Sequence, residues 1–148
     1  MEPMRLTVQT DYALRILMAL AACHPEHLSV SAMAERFNVS GNHLMKTAQT
    51  LIRNGFAVAV RGRGGGIRLA RPASDIVVAD VVRAVEPDFA IVECFQRAGC
   101  CFLPGCRLKS LLAEARSSFL ATLAGETLEG LVAGSKVPLP GDSRSAAE

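Results

Sequence analysis

Tryptophan is absent from the 148 residues and tyrosine occurs once. Sites that recognise sugars or methylated ammonium groups are walled with aromatic rings, so such a ligand is not expected. No window approaches 18 uninterrupted apolar residues, which excludes a membrane-spanning helix. Residues 1–10 lack the basic-then-apolar order of a secretory leader, and the expectation is a cytoplasmic protein. Charge is also sparse, at 20% against 50% hydrophobic residues, with a mean hydropathy of +0.28. That supports a core and argues against a disordered chain. The length suits one domain with room for an arm. Five cysteines, an odd number, in a reducing compartment argue against a disulfide framework.

What is present is unevenly placed. The formal charge of +2 divides into a basic first half and an acidic second half. Residues 1–71 hold nine Lys/Arg against four Asp/Glu, and residues 72–148 hold seven against ten. A basic half is the footprint of a phosphate-binding surface, although a merely solvated face has the same composition. Cys23 stands alone in an apolar helical pattern and reads as a structural thiol. Cys94, Cys100, Cys101 and Cys106 fall within thirteen residues.

Thr7 to Cys23 reads as an amphipathic helix with Tyr12, Ile16, Leu17 and Leu20 on one face. Thr7 or Thr10 is its cap, Asp11 lies in its first turn, and His24-Pro25 ends it. Ser29 or Ser31 can cap a short second helix, and Asn38-Val39-Ser40 makes a tight turn. Ser40 then caps a helix over Gly41 to Asn54, with Leu44, Ala48, Leu51 and Ile52 inward and Gly55 as terminator. Two short helices joined in this way form a helix-turn-helix. The second leaves Asn42, His43, Lys46, Gln49 and Arg53 exposed, types that read base edges and phosphates from the major groove.

The period then changes. Residues 56–60 and 67–71 suit two strands around the basic glycine loop Arg61-Gly62-Arg63-Gly64-Gly65-Gly66. The loop lacks the Gly-Lys-Ser/Thr ending and the following helix of a nucleotide cradle. Arg61 and Arg63 on a slender tip instead suit a narrow, electronegative minor groove. The expected fold is therefore mainly α with a small β-hairpin, a winged helix-turn-helix. A short helix is expected over Ser74 to Val85, and a long one from Arg107 to Leu123. The stripe Leu108, Leu111, Leu112, Ala115, Phe119 and Leu123 suits packing against a second copy, giving a homodimer. Packing on the first helix is the alternative. Thr127 to Val132 adds a helical turn. The expected organisation is a DNA-binding region at 1–72, a cysteine loop and dimerisation helix at 73–133, and a disordered tail at 134–148.

The cysteine spacing through Cys94, Cys100 and Cys106 is Cys-x5-Cys-x5-Cys. Zinc ribbons present close Cys-x2-4-Cys pairs, which are missing apart from adjacent Cys100-Cys101. Soft thiolates spread along a loop can instead surround an iron–sulfur cluster, [2Fe-2S] or [4Fe-4S]. A labile zinc site and a redox dithiol are the competing readings. Three cysteines leave a fourth ligand to be supplied by Cys101, by Asp11 or Glu93, or by His43.

The stretches Met4-Arg5-Leu6-Thr7 and Thr10-Asp11-Tyr12-Ala13-Leu14-Arg15 carry a family resemblance. So do Val39 to Lys46, Val60 to Leu69, Arg71-Pro72-Ala73, Asp80 to Arg83 and Cys106 to Lys109. Together they resemble the winged-helix iron–sulfur transcriptional regulators of the NsrR, IscR and RirA type, over about Met4 to Val132. The Arg5-Leu6-Thr7 and Asn42 to Lys46 stretches are most similar to the nitric-oxide-responsive repressors, and Phe89 to Phe95 resembles the iron-responsive branch. The resemblance implies a non-enzymatic, homodimeric repressor of double-stranded operator DNA. It implies a cluster on Cys94, Cys100 and Cys106, with Asp11 of the partner subunit as fourth ligand. Cys101 departs from the family pattern. In this reading nitric oxide is the signal, and nitrosylation releases the operator. Iron or cluster status is the alternative signal within the family, and a cluster-free thiol switch is the alternative outside it. Ser40, Asn42, His43, Lys46, Gln49, Arg53, Arg61 and Arg63 are the candidate DNA contacts.

Overall fold

The computed structural model describes residues 4–92, 95 and 104–134. The first helix, α1, spans Val8–Cys23, and its cap is Thr7, whose hydroxyl accepts the Thr10 N–H at 3.3 Å. Ser29 caps α2 (Val30–Phe37) and Ser40 caps α3 (Gly41–Arg53) through the same kind of bond. Each hydroxyl satisfies a backbone donor that has no intrahelical acceptor. Between α2 and α3, Asn38 takes a left-handed conformation (φ 56°), which its short polar side chain tolerates. At the end of α3, the Gly55 N–H donates to Ile52 O and the Phe56 N–H to Leu51 O. This paired closure needs a residue of positive φ, which glycine supplies at +78°.

The helix-turn-helix and the wing share one core. Strands β1 (Ala57–Val60) and β2 (Gly66–Leu69) pair antiparallel, with Ala57 opposite Leu69 and Val60 opposite Gly66. On its other edge, β2 exchanges two backbone bonds with Leu28, each 2.9 Å. Ile67 and Leu69 thereby point into the cluster formed by Ile16, Leu17, Leu20, Met33, Leu44 and Leu51. Of the residues expected on the inner faces of α1 and α3, Ile16, Leu17, Leu20, Leu44, Ala48 and Leu51 are buried, with Tyr12 and Ile52 half-buried at the margin; Thr10, Ala13, Ala19 and Thr47 are buried beside them.

The expected helix over Ser74 to Val85 is interrupted. A 3-10 turn over Ala73–Asp75 is followed by extended Ile76 and Val77, and α4 begins only at Val78 (Val78–Val85). The cause is a distant partner: the Val78 N–H donates to Glu126 O, and the Leu128 N–H donates to Ile76 O. That pairing holds the β-branched residues extended and brings α6 (Leu128–Val132) into the core, with Leu128 fully buried.

Helix α5 (Arg107–Ala124) is different, because none of its residues is buried. It packs chiefly on α4 rather than α1. The single expected stripe is split by that packing. Leu112 and Leu123 are half-buried, whereas Leu108, Leu111 and Phe119 are 60%, 61% and 44% exposed. The tail expected to be disordered lies, beyond residue 134, outside the described residues.

Candidate nucleic-acid interface and metal centre

The outer face of α3 is fixed by its inner one. With Leu44, Thr47, Ala48 and Leu51 buried, helical geometry turns Asn42, His43, Lys46, Gln49 and Arg53 to solvent. Ser40, itself exposed, holds the helix start. His43, Lys46, Gln49 and Arg53 line one side of a groove of about 570 Å³, and Val8, Gln9 and Tyr12 of α1 line the other. Gln9 Nε2 donates to Thr50 Oγ1 across it at 3.1 Å. Sequence reasoning did not assign Val8 and Gln9 to this face: Val8, four residues before Tyr12, continues the apolar stripe of α1, and Gln9 follows it. It also passed over Met45, which is 47% exposed on the same surface. Its signal was an apolar residue off the Leu44–Ala48–Leu51 stripe, and such a side chain suits a thymine methyl group.

The wing is a braced projection. Arg61 and Arg63 are exposed at its tip, where Gly62 (φ 101°) and Gly64 (φ 74°) turn the chain in conformations that side chains resist. His27 Nε2 lies 2.6 Å from Gly64 O, which anchors the tip to the segment before α2. At the base, Arg71 bonds Gly55 O at 3.0 Å and stacks 5.3 Å from the Phe56 ring centroid. Arg71 is thus occupied by the scaffold, and the tip arginines are left for a ligand.

The candidate metal ligands are only partly within view. Cys94, Cys100 and Cys101, with Glu93, lie outside the described residues. Asp11 is exposed on the first turn of α1 and pairs with Arg15 at 2.9 Å, both side chains about half solvent-accessible. A pair that exposed contributes little and can be exchanged for another partner. Cys106 is half-buried at the N-cap of α5, with no side-chain hydrogen bond of its own there. Among the described residues no three His, Cys, Asp or Glu side chains converge. The donor chemistry nevertheless fits an iron–sulfur cluster. Cys106 presents its sulfur beside the first-turn N–H groups of α5, and hydrogen bonds to sulfur tune such sites.

Cys23, read as structural, is half-buried and its Sγ points to Leu20 O and Glu26 O at 3.6 and 3.7 Å. Burial first, and the Glu26 charge second, push its thiol above the usual range. The protonated form is therefore favoured, and an inert thiol results.

The sequence profile of the Rrf2 family, described as iron-dependent transcriptional regulators, matches residues 6–134. The chain belongs to the Rrf2 family. It is 47% identical over 132 residues to the HTH-type transcriptional regulator NsrR of Bacillus subtilis (strain 168), covering 87% of this chain and 90% of that one. Among solved structures, the oxidised form of CymR from Staphylococcus aureus superposes with a TM-score of 0.72 at 25% identity, over 87% and 96% of the two chains. IscR of T. potens gives 0.74 at 24% identity, over 90% and 89%. CymR of B. subtilis, a global cysteine regulator, gives 0.75 at 23%, over 90% and 100%. The fold expected from the sequence is the fold of these Rrf2 proteins. The chain is a DNA-binding transcriptional regulator and not an enzyme. No helix among the described residues is long and apolar enough to cross a membrane.

Proposed function

We propose that this Rrf2 protein is a homodimeric iron–sulfur repressor that leaves its operator in response to nitric oxide. The observation that carries the reading is the 47% identity to NsrR along nearly the whole chain. It joins the resemblance of Arg5-Leu6-Thr7 and Asn42 to Lys46 to the nitric-oxide-responsive branch. Asn42, His43 and Gln49 read base edges, with Ser40, Lys46, Arg53 and the wing arginines on the phosphates and in the minor groove. Cys94, Cys100 and Cys106 of one subunit and Asp11 of the other hold the cluster. When bound, the cluster supplies iron that reacts with nitric oxide. Asp11 sits on α1, and α1 packs against α3, so this ligand arrangement ties the spacing of two recognition helices to the cysteine loop. Only a difference in operator affinity between the two cluster states can regulate transcription.

An anaerobic gel-shift titration with stepwise nitric oxide tests the reading at fixed salt. Progressive release of the operator is expected, and unchanged affinity after complete reaction overturns it. Release by iron depletion but not by nitric oxide would point to the iron-responsive alternative. Replacement Asp11→Ala is expected to leave fold and dimer intact while the cluster is lost faster to a chelator. Loss at the wild-type rate would remove Asp11 from the ligand set.

A further inference from the structure

Glu86 is the C-cap of α4, eight residues before Cys94 in sequence, and its carboxylate is turned onto the start of α1. One oxygen, Oε2, accepts three donors from the other end of the chain: Thr7 N at 3.1 Å, Thr7 Oγ1 at 3.2 Å and Thr10 Oγ1 at 2.5 Å. Thr10 is fully buried and Glu86 half-buried, so these bonds are partly sheltered from competing water. They also place a negative charge at the N-terminal end of α1, where the helix dipole favours it. Residues 76 and 79 positions apart are thereby fastened through one carboxylate.

The location matters more than the strength. The Glu86 bonds seize α1 immediately before Asp11, and α1 packs directly on the recognition helix α3. Gln9, between the two threonines, donates to Thr50 of α3 at 3.1 Å. The chain from Glu86 through Thr7 and Thr10 to α1, and through Gln9 to α3, is a continuous set of hydrogen bonds and packed elements. It runs from the root of the cysteine loop to the DNA-reading surface within one subunit. The hydroxyl of Thr10 has no role in apolar packing that valine would not fill.

We propose that Glu86 is a positioning residue: its carboxylate, held by Thr7 and Thr10, transmits the state of the cysteine loop to the recognition helix of the same subunit. This rests on the reading of the chain as a cluster-dependent regulator. Cutting the Glu86 bonds uncouples the loop from α1 without removing any cluster ligand or DNA contact.

The test compares operator affinity of the cluster-loaded and chelator-stripped full-length dimer for wild type, Glu86→Ala, Glu86→Gln and Thr10→Val. Coupling between sites commonly amounts to about 5–150-fold in affinity. The ratio is expected to fall severalfold in Glu86→Ala, the Asp11 tie between subunits remaining, with iron content and dimer mass unchanged. It is expected to shrink partly in Thr10→Val, and to recover in Glu86→Gln, whose amide oxygen still accepts. A purely structural role lowers the melting temperature and leaves the ratio at its wild-type value, and that result overturns the proposal. Should Glu86→Ala fail to fold, Thr10→Val decides, since a wild-type ratio there overturns it equally. A wild-type protein whose affinity ignores the cluster overturns the cluster-dependent reading, and the role of Glu86 with it. A responsive wild type with an equally responsive Glu86→Ala overturns the Glu86 role alone.

Discussion

At the scale of single residues, the wing arginines and Cys23 show how surroundings divide chemically similar groups. Arg61 and Arg63 are exposed on a tip of glycines, whereas Arg71 is consumed by Gly55 O and the Phe56 ring. Replacing both tip arginines by alanine is expected to weaken operator binding and to flatten its salt dependence. Two lost phosphate neutralisations reduce the log–log slope by about 1.8. A slope equal to wild type, measured by fluorescence anisotropy across a salt series, would exclude these contacts. Cys23 makes the opposite case. Its raised pKa means that thiolate is scarcer at neutral pH than in an unfolded cysteine. Alkylation of Cys23 in the folded protein is expected to lag that of the denatured chain, and the gap should narrow as pH rises through the thiol range. Mass spectrometry of timed samples resolves it. Both placements were legible in sequence, because a glycine-flanked arginine and a thiol within an apolar helix are local patterns. Glu86 was not legible, since its donors are about half a chain length away.

At the scale of elements, the helix-turn-helix was readable because each boundary carries its own signal. Ser29 and Ser40 cap, Asn38 turns, and Gly55 closes α3, all within a few residues of the bonds they make. The start of α4 was not readable, because Ile76 and Val77 are kept extended by residues 126–128. Nor does the pattern of β2 disclose that Leu28 pairs on its free edge. That pairing explains why position 66 must be glycine. A Cβ there would press on the Leu28 carbonyl oxygen and the Ser29 nitrogen well inside van der Waals contact. Gly66→Ala is expected to cost about 1–3 kcal/mol, as overpacking does. Because the strain falls at the root of the wing, operator affinity should fall with it. Gly41→Ala meets open space and serves as the control, with thermal stability unchanged or slightly raised. Equal melting temperatures for the two variants would contradict the tight Leu28–β2 approach.

At the scale of the whole molecule, the apolar residues fall into two groups. Ile16, Leu17, Leu20, Met33, Leu44, Leu51 and Leu128 close one core across the helix-turn-helix, the wing and α6. Leu108 and Leu111 of α5 remain largely in water and Phe119 partly so, with Met4 at 90% exposure nearby in sequence to the α1 start. An apolar stripe of that kind on a helix outside the core is expected to meet its copy, and a dimer would also place two recognition helices on half-sites about one helical turn apart. The dimer and the fold are then separable, because no residue of α5 contributes to the core. The double replacement Leu108→Glu and Leu111→Glu should leave helical content and cooperative melting near wild type while shifting sedimentation to the monomer. Operator affinity should fall steeply, since two linked half-site contacts become one. A variant that stays dimeric would place the self-association elsewhere. A variant that loses helicity throughout would mean that α5, although outside the core, folds only with its partner.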